Sequence, residues 1–190
     1  MTDTTTNARI INGVNVEDLI QTVEAVTATP GIADFRFRAD NEWLGGGHNR
    51  TTISGFYGAG EEQRHATPFV LDNDEPPVLL SGDKAPNPVE YVLHALAGCL
   101  MTSLVYHAAA RGIAVDGVDV RLEGDLDLHG FLGMDDNVRN GYQAIRVRFE
   151  VHGDLTDEQK AELVTLAQQR SPVFDIITNR VHVDVDVERS

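Results

Sequence analysis

The sequence predicts an α+β fold in which helices pack against antiparallel β-sheets. Three observations predict it. A long apolar segment begins with helix-capping residues, several segments alternate apolar and polar residues, and a further helix opens on a capping box. Each alternating segment has only one apolar side, which is typical of antiparallel strands with one face on a core.

The N-terminal segment, residues 1–32, is predicted to be an extension with one short helix. Its first nine residues are polar and expected to be disordered. Apolar residues then recur at helical spacing from Val16 to Thr27, after Asn15 as the expected N-cap. Pro30 should end this helix. The remainder, residues 33–190, is predicted to form one domain.

Three strands are predicted before the long apolar segment. Residues 33–44 contain apolar residues that alternate with charged ones over 35–40, and residues 50–57 follow a glycine-rich turn, so the two should form a hairpin. A short third strand is expected over 67–71. The acidic, proline-rich stretch 72–86 is expected to be a loop.

The long apolar segment, residues 87–111, predicts the central helix. Asn87 is its expected N-cap, Pro88 suits the first helical position, and Gly112 suits the left-handed position after its end. The helix is apolar on nearly all faces, so it should be buried and needs cover on two sides. A homodimer could supply that cover. The charged and histidine residues in the segment argue against a membrane span.

Regular structure is also predicted after the central helix. A capping box formed by Thr156 and Gln159 should open a helix that runs to about Arg170, where Pro172 breaks or kinks it. Three further strands share an alternation of apolar and polar residues: 115–128, 142–152 and 181–187. The stretch 129–141 is expected to be an irregular loop.

Composition excludes several classes of function. The formal net charge is −15, from 15 Lys and Arg against 30 Asp and Glu. Sequence-independent binding to nucleic acid or to an anionic membrane needs the opposite sign. A single cysteine fits a reducing compartment, and the N-terminus lacks a secretory signal, so we expect a cytoplasmic protein. The histidines lack metal-ligand spacing, so no metal site is predicted.

The single cysteine, Cys99, lies within the central helix. Such a residue is either a small buried apolar group or a nucleophile, and a nucleophile must ionise to the thiolate. Cys99 lies well beyond the first turn, so the helix dipole contributes little and a cation would be needed. Glu90 and His94 share a helix face, but His94 is too far around the helix for a direct pair with Cys99.

The segment NPVEYVLHALAGC resembles the cysteine helix of the OsmC/Ohr family. The segment GYQAIRVRFEVHGDLTDEQKAELVTLAQQ is similar to the strand–turn–helix of that family, and VHVDVDV is similar to its last strand. The resemblance covers about residues 33–188. It implies antiparallel β-sheets wrapped around long central helices in an intertwined homodimer.

The resemblance also implies an activity. Well-known members of the OsmC/Ohr family reduce hydroperoxides with a peroxidatic thiolate, which becomes a sulfenic acid. A second cysteine resolves it to a disulfide, and an external thiol reduces that disulfide. An arginine and a glutamate hold the thiolate, and no metal or organic cofactor is needed.

Residue by residue, the resemblance assigns the peroxidatic role to Cys99. Ser171 lies where the resolving cysteine would be, and a hydroxyl cannot form a disulfide. Arg50 is the best match for the arginine, with Arg38 second. The glutamate that follows Asn-Pro is shifted by one residue, to Glu90, which turns its side chain by about 100° around the helix.

Two functions therefore stay open. The first is a one-cysteine thiol peroxidase for organic hydroperoxides, in which Cys99 is the nucleophile and an external thiol is the resolver. The second is a non-peroxidase protein of the same fold that binds a small hydrophobic ligand at the dimer interface. The retained Cys99 favours the first, whereas Ser171 and the shifted Glu90 favour the second.

Overall fold

The computed structural model describes residues 8–188, and most of the polar segment predicted to be disordered lies outside this range. The α+β class is confirmed. The helices are α1 (Val16–Ala28), α2 (Pro88–Ala110), α3 (Leu128–Phe131), α4 (Asp157–Arg170) and α5 (Pro172–Thr178). The strands are β1 (Ile10–Ile11), β2 (Val14–Asn15), β3 (Arg36–Phe37), β4 (Asp40–Gly45), β5 (His48–Gly58), β6 (Glu61–Asn73), β7 (Gly117–Asp125) and β8 (Ala144–His152).

The chain forms two compact units. One ends at Val92 and the other begins at Leu93, so the boundary lies within α2. The first unit contains the strands β1 to β6 and the helix α1. The second contains most of α2, the strands β7 and β8, and the helices α3 to α5.

The helix of the N-terminal segment matches its prediction closely. α1 begins at Val16, and the side chain of Asn15 accepts the backbone N–H groups of Glu17 and Asp18. These groups have no acceptor within the helix, so the cap satisfies them. A short 3₁₀ helix, Pro30–Ala33, follows where the sequence predicted the end of α1.

The strand β5 is the centre of an antiparallel sheet in the first unit. β3 and β4 pair with one edge of β5, and β6 pairs with the other. Within this register, Arg50 lies opposite Glu42 on one neighbouring strand and opposite Asp72 on the other. The sheet therefore places one arginine between two carboxylates.

The strand β6 is much longer than the sequence predicted. It spans Glu61–Asn73, whereas only residues 67–71 were expected to be extended. The first part of β6 is polar and largely exposed, so it lacks the alternation that marks a half-buried strand. Its pairing with β5 across a tight turn at residues 59 and 60 fixes it instead.

The second unit has its own core. β7 and β8 form an antiparallel pair, and α4 opens on the predicted capping box of Thr156 and Gln159. Where the sequence predicted a break or a kink at Pro172, a further helix, α5, begins. The buried residues of this core come from α2, β8 and α4: Leu96, Leu100, Leu104, Ala108, Val151, Leu163 and Ala167.

The predicted last strand, residues 181–187, is wrong for the single chain. Residues 179–188 have no regular secondary structure, and Val183, Val185 and Val187 are exposed. Alternation selects the two faces of a strand, but a strand also needs a neighbouring edge for its backbone hydrogen bonds.

The central helix is buried on one side only. Leu100 and Leu104 are almost completely buried, but Ala95, Gly98, Thr102 and Tyr106 are exposed. The expectation that the whole helix is buried is therefore not met within one chain. By length and composition α2 could also cross a membrane, a test that the core helices of soluble proteins pass as well.

Candidate functional site

Cys99 lies half-buried on α2, next in the chain to the buried Leu100. Its sulfur accepts a hydrogen bond from the backbone N–H of Val173, with 3.5 Å between nitrogen and sulfur. Val173 belongs to the first turn of α5, where backbone N–H groups have no acceptor within the helix. The sulfur thus satisfies a donor that the short helix leaves open.

Ser171 holds this arrangement in place. It is 2% exposed, and its hydroxyl oxygen accepts the backbone N–H of Phe174 at 3.1 Å as the N-cap of α5. Pro172 occupies the first helical position, which needs no donor. The residue at the expected resolving position is therefore the cap of the helix whose first turn contacts Cys99.

Arg50 is held by a carboxylate. Its Nε donates to Oδ1 of Asp72 at 2.7 Å, and its Nη2 donates to Oδ2 at 3.0 Å. The Nε2 of His48 lies 3.1 Å from the same Oδ2. The hydrogen bonds from Arg50 and His48 lower the pKa of Asp72 to about 2. The arginine is thus oriented by a planar, two-bond ion pair.

Arg38, the second candidate arginine, has a similar partner in a more exposed place. Its Nη1 and Nη2 donate to the two carboxylate oxygens of Glu62 at 2.7 and 2.8 Å. The hydrogen bond from Arg38 holds the pKa of Glu62 below its usual value. Both side chains are largely exposed to solvent, where such pairs contribute little to stability.

Glu90 takes part in the cap at the start of α2. Its Oε2 accepts the backbone N–H of Asn87 at 2.8 Å, while Oδ1 of Asn87 accepts the backbone N–H of Glu90 at 2.9 Å. This reciprocal pair is a capping box with asparagine as the cap. The predicted cap at Asn87 is confirmed, and the carboxylate of Glu90 contributes to it.

A buried acid near the start of α2 was not identified from the sequence. Asp74 is completely buried, and it accepts the hydroxyl of Ser81 at 2.5 Å and the backbone N–H groups of Glu75 and Lys84. The hydrogen bond from Ser81 is the main cause that lowers the pKa of Asp74 to about 2. The same hydroxyl accepts the N–H of Gly47, so Asp74 ties the loop after β6 to the β4–β5 turn.

The three predicted site residues, Cys99, Arg50 and Glu90, do not all lie in the same unit. Arg50 and Glu90 lie in the first unit, and Cys99 lies in the second. Within residues 8–188, no group of three His, Cys, Asp or Glu side chains has the arrangement of a metal site.

A profile of the OsmC family, described as OsmC-like protein, matches residues 81–186, which is more than half of the chain. The chain belongs to the OsmC family. The matched segment includes Cys99, Ser171 and the whole core of the second unit. No curated protein sequence matches the chain significantly.

Solved structures support the same fold. An OsmC-like protein from Mycoplasma pneumoniae is 13% identical in sequence and superposes with a TM-score of 0.57. The match covers 75% of this chain and 87% of the Mycoplasma chain. A protein from Psychrobacter arcticus, assigned to osmotic stress and detoxification responses, is 15% identical with a TM-score of 0.53, covering 72% and 85%. An OsmC-like protein of unknown function from Vibrio cholerae is 14% identical with a TM-score of 0.50, covering 74% and 92%.

Proposed function

We propose that this chain is a one-cysteine, thiol-dependent reductase of organic hydroperoxides, with Cys99 as the nucleophile. The proposal rests on the half-buried sulfur of Cys99, which accepts a hydrogen bond from the backbone N–H of Val173 with 3.5 Å between nitrogen and sulfur. A donated hydrogen bond stabilises a sulfur anion more than a neutral thiol. The family membership adds support, because Cys99 lies where the resemblance places the peroxidatic cysteine of the family.

The proposed reaction begins when the Cys99 thiolate attacks one oxygen of the O–O bond. The hydroperoxide leaves as an alcohol, and Cys99 becomes a sulfenic acid. An external thiol then condenses with the sulfenic acid and releases water. A second thiol reduces the mixed disulfide and restores Cys99. The proposed oxidative-stress role follows from this activity.

We propose Arg50 as the cation that supports the thiolate. Its two hydrogen bonds to Asp72 would fix the guanidinium in one orientation, and Glu42 lies opposite Arg50 on the neighbouring strand. Glu90 is the third proposed residue, and its part is indirect. Its carboxylate holds the start of α2, and so the position of the helix that carries Cys99.

The test is the intact mass of the protein after one equivalent of cumene hydroperoxide with dimedone present, quenched at set times. We expect a rapid dimedone adduct on the wild type and none on Cys99→Ser. An adduct that forms no faster than on free cysteine would contradict the proposal.

Two observations favour a second function. Ser171 has no thiol, and the charge of Arg50 is already compensated by Asp72. In that case the fold binds a small hydrophobic ligand at the dimer interface and Cys99 is a structural residue. Absence of the dimedone adduct, together with a hydrophobic molecule released on denaturation of the purified protein, would favour this alternative.

We further propose that the protein is an intertwined homodimer. The exposed side of α2 supports this proposal, because its residues Ala95, Gly98 and Thr102 are small and allow close helix contact. A Cβ at Gly98 would meet no atom within 4 Å in the single chain. Sedimentation should show a dimer that Ala95→Arg dissociates, whereas Gln168→Arg, on the exposed side of α4, should leave it intact.

The division into an extension, residues 1–32, and an OsmC-like domain, residues 33–190, also remains our proposal. The family match begins at residue 81 and lies wholly within the proposed domain. We propose a cytoplasmic location, supported by the single cysteine. The charge of −15 supports the proposal that neither nucleic acid nor membrane is a partner.

A further inference from the structure

We propose that the sulfenic acid of Cys99 first condenses with the backbone nitrogen of Val173 to form an intramolecular sulfenamide, and that the external thiol then acts on this sulfenamide instead of on the sulfenic acid. The proposal rests on the proposed function, because a hydroperoxide must first oxidise Cys99. In this chain Ser171 occupies the position of a resolving cysteine, so the resolving group would be the main chain of the same turn.

The geometry brings the two reacting atoms together. The nitrogen of Val173 lies 3.5 Å from the sulfur of Cys99, and its N–H points toward that sulfur. Sulfenic acids condense with backbone nitrogens when the two are held close. Here the nitrogen and the sulfur belong to different helices, α5 and α2, that pack in the core of the second unit.

The position of Val173 in α5 makes its nitrogen available. As the second residue of the helix, it donates no hydrogen bond within α5, so loss of its hydrogen breaks no helical bond. Proline is tolerated in the first turn of helices for the same reason, and it also carries a substituted nitrogen.

Burial of the turn before α5 holds the Val173 nitrogen close to the Cys99 sulfur. The cap at Ser171 is 2% exposed, and its bond to the Phe174 N–H fixes the turn that presents Val173. Reaction between groups held in this way competes well with an external thiol, because no translational freedom is lost. The bond would also protect Cys99 from further oxidation to the irreversible sulfinic acid.

The step is balanced. The hydroperoxide supplies the two-electron oxidation when it converts the Cys99 thiol to the sulfenic acid and leaves as an alcohol. The S–N bond then forms, the S–O bond breaks, and the hydroxyl leaves with the amide proton as water. An external thiol later attacks the sulfur, and the nitrogen regains a proton. A second thiol then releases Cys99 as a thiol and takes the oxidation away as a disulfide.

The test oxidises the full chain with one equivalent of cumene hydroperoxide in the absence of thiols and dimedone. We expect the intact mass of the monomer to fall by about 2 Da, and to be restored by dithiothreitol. Trypsin digestion of the oxidised protein without dithiothreitol should yield a linked pair of peptides, residues 85–111 and 171–180, joined between Cys99 and Val173. Cys99→Ser should show neither change.

Other outcomes separate this inference from the proposed function. A gain of about 16 Da or more without a linked peptide would overturn the sulfenamide but leave the peroxidase reaction standing. A disulfide between the Cys99 residues of two copies would also overturn it. An unchanged thiol would overturn both.

Val173→Pro provides the matched variant, because it removes the amide hydrogen and keeps an apolar side chain. We expect it to accumulate the sulfenic acid instead of the linked peptide, provided that its melting curve remains cooperative. A linked peptide in this variant would overturn the proposal. If the variant does not fold, the peptide map of the wild type decides alone.

Discussion

Arg50 holds both carboxylate oxygens of Asp72, at 2.7 and 3.0 Å, on neighbouring strands of the same sheet. The pair positions a guanidinium and at the same time compensates its charge. A role of Arg50 in supporting the Cys99 thiolate would favour the peroxidase. A role of Arg50 confined to the sheet would favour the protein that binds a hydrophobic ligand.

Arg50→Ala should slow the oxidation of Cys99 by cumene hydroperoxide by about tenfold, the effect of losing about 1.4 kcal/mol of charge stabilisation. The matched control is Arg38→Ala, since Arg38 forms the same kind of two-bond pair with Glu62. That control should leave the rate within about twofold, as expected for an exposed pair. An Arg50→Ala rate within about twofold of the wild type would remove Arg50 from the reaction.

Glu90 should act through the capping box at the start of α2. Glu90→Ala should lower the free energy of unfolding by about 1 kcal/mol, because it leaves the Asn87 N–H without its acceptor. Glu90→Gln keeps an acceptor and should be close to the wild type in both stability and rate of Cys99 oxidation. A slow but stable Glu90→Gln protein would show instead that the negative charge takes part in the reaction.

Ser171→Cys should install a resolving thiol in the turn that contacts Cys99. After one equivalent of hydroperoxide, both thiols of the variant should disappear from a thiol titration and return with dithiothreitol. The matched control is Ser171→Ala, which removes the cap without adding a thiol and should keep the dimedone-reactive intermediate. If the introduced thiol stays free after oxidation, the proximity inferred from the Val173 contact is contradicted.

Asp74 should make the protein sensitive to acid. Its pKa is lowered from 3.8 to about 2, chiefly by the Ser81 hydroxyl, so its stabilising contribution is full above pH 3.8 and is lost as the pH falls toward 2. Denaturant titrations of the wild type and Asp74→Asn should differ most above pH 4 and converge near pH 2. A constant difference across this range would show that ionisation of Asp74 does not stabilise the fold.

The central helix shows what sequence patterns can establish. The cap at Asn87, the start at Pro88 and the left-handed Gly112 follow from local chemistry, and all three are observed. The apolar pattern around α2 does not reveal which side is covered within one chain. The exposed Ala95 and Tyr106 are consistent with the proposed partner, but composition alone cannot assign a face.

The candidate site was harder to predict for a physical reason. Cys99 and Ser171 were identified through the family resemblance, but the contact between Cys99 and Val173 depends on two helices far apart in sequence. The pairs of Arg50 with Asp72 and of Asp74 with Ser81 depend likewise on strand register and loop path. No spacing in the sequence encodes such contacts, so α5 and the buried Asp74 were missed.

The reactivity of Cys99 is tested by the second-order rate constant for loss of its thiol in cumene hydroperoxide. It is measured by rapid quench and thiol titration beside free cysteine at the same pH. We expect Cys99 to react at least about tenfold faster than free cysteine, because its sulfur is held in one position beside the N–H of Val173. A rate equal to or below that of free cysteine would contradict it, and Cys99 would then be a structural residue of the core.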